Sequence, residues 1–188
     1  MRSFLLSTLL LLTSASAVHA QDSLSDVAAT YHWVRTNAGP GDCGCFGLNG
    51  GGLSGSWNLY GPWSVVVDLS SEHTGSGGLL GNSLPLTSLM AGARYQTPLR
   101  WMERTHQPRP FAQFLIGSTH AGGGVAGVAD GSFEFSMRVG GGIDIPLNSR
   151  FAVRAVQTDY YLTTSANARN NHQNNFLVGA GILYYWSR

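Results

Sequence analysis

Apolar and polar residues alternate one by one along most of this chain, rather than in steps of three and four. From Phe133 to Ile145 one face carries Phe133, Phe135, Met137, Val139, Gly141, Ile143 and Ile145, and the other Glu134, Ser136, Arg138, Gly140, Gly142 and Asp144. A helix would scatter both sets around its circumference, whereas a strand separates them. In the last segment Phe176, Val178, Ala180, Ile182, Tyr184 and Trp186 oppose Leu177, Gly179, Gly181, Leu183 and Tyr185. Trp63 to His73 has its polar side at Ser64, Asp68, Ser70 and Glu72, and Leu89 to Thr97 at Met90, Gly92, Arg94 and Gln96. Eight strands are predicted, near residues 27–37, 52–60, 63–73, 87–97, 111–120, 132–145, 151–163 and 175–186. In the seventh, Arg154 and Asp159 fall on opposite faces unless a bulge shifts the register. No amphipathic helix is predicted.

The connections differ in length. Residues 38–51, 74–86, 121–131 and 164–174 are long and rich in Gly, Asn or Ser, while Gly61-Pro62 and residues 146–150 are tight. Pro98 to Pro110 breaks this rule by being long as well. Long loops at one end and short turns at the other mark an outer-membrane barrel. Even-numbered strands share a loose repeat, seen in Met90-Ala91-Gly92-Ala93-Arg94-Tyr95, Val139-Gly140-Gly141-Gly142-Ile143 and Val178-Gly179-Ala180-Gly181-Ile182. A hairpin used four times would produce it.

Composition turns the barrel inside out relative to a soluble one. Only 11% of residues are charged, against about 25% in a soluble domain, too few to clothe a water-facing exterior. A lipocalin-type barrel puts its apolar face inward, whereas a membrane barrel turns it to lipid around a polar interior. Tyr31, Trp33, Trp57, Tyr60, Trp63, Tyr95, Trp101, Tyr160, Tyr161, Tyr184, Tyr185 and Trp186 collect near strand ends, as expected of rings that favour the membrane–water interface. All 11 basic residues are Arg, and a net charge of +1 excludes an electrostatic footprint for nucleic acid. Arg2, the apolar run Phe4 to Leu12, and Val18-His19-Ala20 read as a secretory signal peptide over residues 1–20, cut after Ala20. The expected mature domain is 21–188, an all-β, eight-stranded antiparallel up-and-down transmembrane β-barrel in the outer membrane of a Gram-negative-type bacterium.

Together with the signal and the eight strands, the final strand Asn175-Phe176-Leu177-Val178-Gly179-Ala180-Gly181-Ile182-Leu183-Tyr184-Tyr185-Trp186 and the penultimate Arg154-Ala155-Val156-Gln157-Thr158-Asp159-Tyr160 resemble the small outer-membrane β-barrel proteins related to the OmpA membrane domain. The resemblance implies surroundings of outer-membrane lipid and lipopolysaccharide. It also implies recognition of the C-terminal strand by the barrel-assembly machinery, although Ser187 and Arg188 here follow the terminal aromatic. It implies no peptidoglycan-tethering domain within residues 21–188.

The candidate site is a set of charges on the lumenal faces: Asp68, Glu72, Arg94, Glu134, Arg138 and Arg154. The favoured reading is a structural network of paired charges, because the bore of eight strands admits little beyond side chains; the alternative is a selectivity ring or gate. Cys43 and Cys45 suggest a local disulfide or free thiols, since a Cys-x-Cys ring is small and strained. Gly39 to Gly44 and Gly122 to Gly127 match GxGxxG, but neither opens a helix after a strand. Ser118 and His120 share a face, with Glu72 or Glu134 as candidate acids for a lipid A deacylase-like hydroxyl. Their order, Ser-x-His, is the reverse of the His-x-Ser that such deacylases carry. Arg100, Arg104 and Arg109 crowd the turn after the fourth strand. No cofactor or metal is expected. The expected function is a structural or surface-interaction barrel with its loops as binding surface and an unknown extracellular ligand, ahead of a narrow pore or a lipid-modifying enzyme.

Overall fold

The computed structural model describes residues 25–36, 47–73, 85–98, 107–121, 133–164 and 172–187. Eight strands run through them: β1 (Ser25–Arg35), β2 (Gly47–Tyr60), β3 (Trp63–His73), β4 (Pro85–Gln96), β5 (Arg109–Ala121), β6 (Phe133–Pro146), β7 (Phe151–Thr163) and β8 (Gln173–Ser187). Each pairs antiparallel with its neighbours in chain order, and β1 pairs with β8, so the sheet closes on itself. Closure leaves no sheet edge, the condition for crossing a bilayer where no water can satisfy backbone groups.

Alternation decides which side each residue takes. Along β3, Ser64, Val66, Asp68, Ser70 and Glu72 are buried while the residues between them are exposed. Leu53, Leu69, Leu89, Phe114, Ile116 and Ile182 stand exposed on the outer wall, an apolar band that only a lipid environment can cover. The interior mixes polar side chains with an apolar cluster of Val34, Leu48, Val66, Met90, Leu115, Tyr161 and Leu177.

The expected bulge lies in β7. Ile143 pairs with Val156 and Asp144 with Arg154, so Ala155 is the extra residue on that side of the strand. Ala155 and Val156 both face outward, after which Gln157, Asp159 and Tyr161 are buried. Arg154 and Asp159, an odd number of residues apart, therefore both enter the lumen. A second departure concerns β2, which begins at Gly47, well ahead of the predicted residue 52. Gly47 to Gly51 pair with β1 from Arg35 back to Tyr31, so they continue the wall rather than the preceding loop.

At one end Gly61, with φ of 53°, makes the two-residue turn between β2 and β3. The Asn148 side chain accepts from the backbone N–H groups of Arg150 (2.8 Å) and Phe151 (2.9 Å) in the β6–β7 turn. Near this end the outer wall carries interlocking rings: Trp57 on Trp186 at 6.0 Å, Trp63 on Tyr95 at 5.1 Å and Phe151 on Tyr184 at 5.4 Å. Trp33, Phe133, Tyr160 and Phe176 stand outward toward the opposite end. Two of the aromatics grouped by sequence as belt residues, Tyr161 and Tyr185, point inward and are buried. Trp101 lies outside the described residues.

Val139 faces outward in the middle of β6, beside Phe114 and Tyr160. Val139→Arg is expected to cost about 2–4 kcal/mol in urea unfolding from lipid or detergent. An unchanged midpoint would place this residue at the interface rather than in the apolar band.

Candidate functional site

Each inward position shares a narrow bore, and the charged ones meet in two groups. Nearer the loop end, Arg138 on β6 reaches across the lumen to β3 and β4. Its Nη1 donates to Asp68 Oδ1 at 2.9 Å, and its Nη2 donates to Ser70 Oγ at 2.6 Å and Ser88 Oγ at 2.9 Å. Glu72 Oε1 lies 3.7 Å from the same Nη2 and 3.0 Å from His32 Nδ1. The guanidinium also sits 4.6 Å from the centre of the Tyr161 ring, and the Tyr161 hydroxyl is hydrogen-bonded to Thr119 at 2.8 Å.

Nearer the short turns, Arg154 donates to Asp144 through Nε at 2.8 Å and Nη2 at 3.2 Å, and its Nη1 reaches Gln157 Oε1 at 2.9 Å. Gln96 Nε2 adds a donor to Asp144 at 2.9 Å. Among the described residues no guanidinium forms an ion pair with Asp159; Gln157 Nε2 donates to it at 2.6 Å and Gln113 Nε2 at 3.3 Å. Arg94 donates to Gln113 at 3.3 Å and stands 3.7 Å from Asp26, which also takes the Ser56 hydroxyl. The Phe111 ring centre stands 4.9 Å from the Arg94 guanidinium and 4.4 Å from that of Arg154. The ring face attracts both guanidiniums.

The wall is thinned where these groups need room. A Cβ on Gly52 would stand 2.8 Å from His32 Cε1, and one on Gly179 would stand 3.0 Å from His32 Cδ2. The imidazole fits because two of its neighbours have no side chain. A Cβ on Gly142 would press on the Phe111 ring at 2.8 Å.

Five of the six candidate charges are thus buried in the bore: Asp68, Glu72, Arg94, Arg138 and Arg154. Glu134 is only half buried, toward the loop end, and no ion pair joins it to another described residue. Sequence reasoning left Asp26, His32, Asp144 and Asp159 out of the set, although all four are buried among it. The signal available for Asp144 was its parity with Arg138, six residues earlier on β6. For Asp159 the bulge concealed it.

Thr30 Oγ1, His32 and Glu72 form a hydroxyl–imidazole–carboxylate chain, at 2.7 Å and 3.0 Å. That order suits an activated nucleophile, but Thr30 is buried and the imidazole is boxed by Gly52 and Gly179. The chain orients His32 instead of presenting a hydroxyl. Ser118 and His120 alternate with the buried Thr119 and so lie on the outer side of β5, with the His120 ring against Phe133 at 5.2 Å. Glu72 and Glu134 belong to the inner faces of their strands, so the wall separates them from the candidate serine and histidine. Arg109 stacks at 5.7 Å over Tyr185 at the short-turn end. Cys43, Cys45, Arg100 and Arg104 lie outside the described residues.

A closed ring of eight antiparallel strands, lipid-facing apolar side chains and a charged, packed lumen define a transmembrane β-barrel of the outer-membrane type. The chain belongs to the outer membrane protein beta-barrel domain family, whose model matches residues 5–182. Among solved structures it is similar to Neisserial surface protein A, with a TM-score of 0.68 at 14% identity, covering 86% of this chain and 97% of that one. It is also similar to the outer membrane protein OprG from Pseudomonas aeruginosa, with a TM-score of 0.50 at 11% identity, covering 88% and 97%. No curated protein matches the sequence.

Asp68→Asn removes the nearest carboxylate from a buried guanidinium and is expected to destabilise the barrel by roughly 3–5 kcal/mol. Asp68→Leu combined with Arg138→Met removes both charges and should cost less than either change alone. Urea midpoints of Asp68→Asn, of Asp68→Leu and Arg138→Met singly, and of the double variant check this, and a double variant as unstable as the sum of its two singles would show that the pair is not coupled.

Proposed function

We propose that this protein is a closed outer-membrane barrel with a structural or surface-interaction role, presenting the four connections opposite the short turns as its binding surface. The observation that carries this reading is the obstructed bore. Arg138 with Asp68 (β6 to β3) and Arg94 with Asp26 (β4 to β1) lie across it at two levels, and eight strands leave an interior only wide enough for side chains. The name of Neisserial surface protein A, which shares the fold, agrees with a surface role.

Further parts of the proposal concern export and surroundings. Residues 1–20 act as a signal peptide cut after Ala20, and the final strand is the element handed to the barrel-assembly machinery. Outer-membrane lipid, including lipopolysaccharide, covers the outer wall. There Ala29, Gly51, Ser71, Thr87 and Ala180 line an open groove of about 810 Å³ beside Tyr31, Leu53, Leu69 and Ile182. Its small side chains, with the Ser71 and Thr87 hydroxyls bonded to each other, leave room for an acyl chain. The protein carries out no lipid-modifying chemistry in this reading.

The protein from outer-membrane fractions should change mobility on SDS gels after boiling, and planar bilayers containing it should show no conductance steps. Protease added to intact cells should cut between β1 and β2, β3 and β4, β5 and β6, or β7 and β8, and spare the strands. Conductance steps altered by Arg138→Gln would replace the closed anchor with a narrow pore. A soluble periplasmic protein without a gel shift would overturn the membrane placement.

A further inference from the structure

On the β6–β8 side of the lumen, toward the loop end, four side-chain oxygens of the described residues are buried without a hydrogen-bond partner: Glu134 Oε2, Ser136 Oγ, Thr163 Oγ1 and Asn175 Oδ1. Ser136, Thr163 and Asn175 are almost wholly enclosed, at 0%, 1% and 2% exposure. The pairing brings them together. Ser136 and Thr163 are directly opposite on β6 and β7, which sets their Cβ atoms about 4.5–5.5 Å apart. Asn175 pairs with Tyr161, two residues below Thr163, and so lies diagonally across from it on β8. Glu134 follows the same inner face of β6 one pleat further toward the loop end, with its longer side chain.

Burying a polar oxygen unpaired is costly, and a carboxylate oxygen more so. In a packed barrel such a group points to a missing ion or water. The surroundings favour an ion. All four atoms can accept, one belongs to a carboxylate, and among the described residues no guanidinium is hydrogen-bonded to them. Arg138 is committed across the lumen to Asp68, Ser70 and Ser88, with Tyr161 against its guanidinium face. His120 lies on the outer side of the wall, against Phe133.

We propose that Glu134, Ser136, Thr163 and Asn175 form a cation site at the loop end of the lumen, with water completing the ion's shell. Oxygen donors without imidazole or thiolate select a hard ion over zinc or copper. Calcium fits better than magnesium, because it accepts irregular shells of six to eight oxygens, whereas magnesium demands a near-ideal octahedron. A single carboxylate makes the site weak, in the range of about 10⁻⁴–10⁻³ M found in extracellular modules. The ion links side chains of β6, β7 and β8 that have no hydrogen bond to one another.

Calcium chloride titrated into the full-length barrel in detergent micelles, followed by calorimetry, tests this. Saturable binding is expected, together with a rise in the temperature at which the folded gel band converts to the unfolded one. Glu134→Gln keeps the shape and removes the charge, and should weaken binding by more than about tenfold while the gel shift persists. Ser136→Ala combined with Thr163→Val should weaken it as well, and carries the test if the Glu134 variant does not fold. Absence of saturable calcium binding would mean that water alone fills the pocket. Binding of equal strength in the wild type and these variants would place the ion elsewhere. Either result overturns the site.

Discussion

Closing eight strands into a ring forces every inward side chain into one space barely wider than the side chains themselves. Volume and charge must then be solved together. A large group on one strand requires a missing Cβ on the next, as His32 does with Gly52 and Gly179, and Phe111 with Gly142. A buried charge must find its opposite within the bore, on the next strand or across it. Arg138 crosses to Asp68 and Arg154 turns to Asp144 under this demand. The glycine content that seems to argue against regular structure is what lets the interior fill.

Much of this wall was legible because β3, β6 and β8 alternate cleanly, so one buried residue assigns the rest of its strand. Asp68, Glu72, Arg94 and Arg138 could be placed on one side of the sheet by parity alone. Parity cannot find partners, however, because register between strands is not written in either strand by itself. Asp26 lies beside an irregularity at the start of β1, and Asp159 lies beyond the extra residue in β7. A lone His32 carried no signal until Glu72 was brought to it from forty residues away. Gly47 to Gly51 looked like a loop on composition and became a strand because β1 and β3 supply backbone partners. Tyr161 and Tyr185 were grouped with the interfacial rings for their place near strand ends, when their parity with Asp159 and Leu183 turns them inward.

The two sides of the wall obey different rules. Outside, lipid accepts any apolar shape, so Leu53, Leu69 and Ile182 need no matching neighbour, and only the rings near the two ends are held in preferred places. Inside, matching is everything, and Phe111 beside two guanidiniums shows how an aromatic serves electrostatics as well as packing. Substitutions on the outer side should therefore be read by depth in the membrane, and those on the inner side by what they leave unpaired.

The seam between β1 and β8 joins the first described strand to the last, from Asp26 with Tyr185 to Arg35 with Phe176. Every other pair in the ring is a local hairpin; this one alone spans nearly the whole chain. The entropy of bringing such distant segments together must be met before their contacts return anything, which makes long-range β-pairing slow. Until that moment β1 and β8 are both open edges, ready to join the wrong partner. The order of events in assembly is thus written into the topology. Hairpins can appear early and reversibly, whereas the ring locks only once, when β8 meets β1.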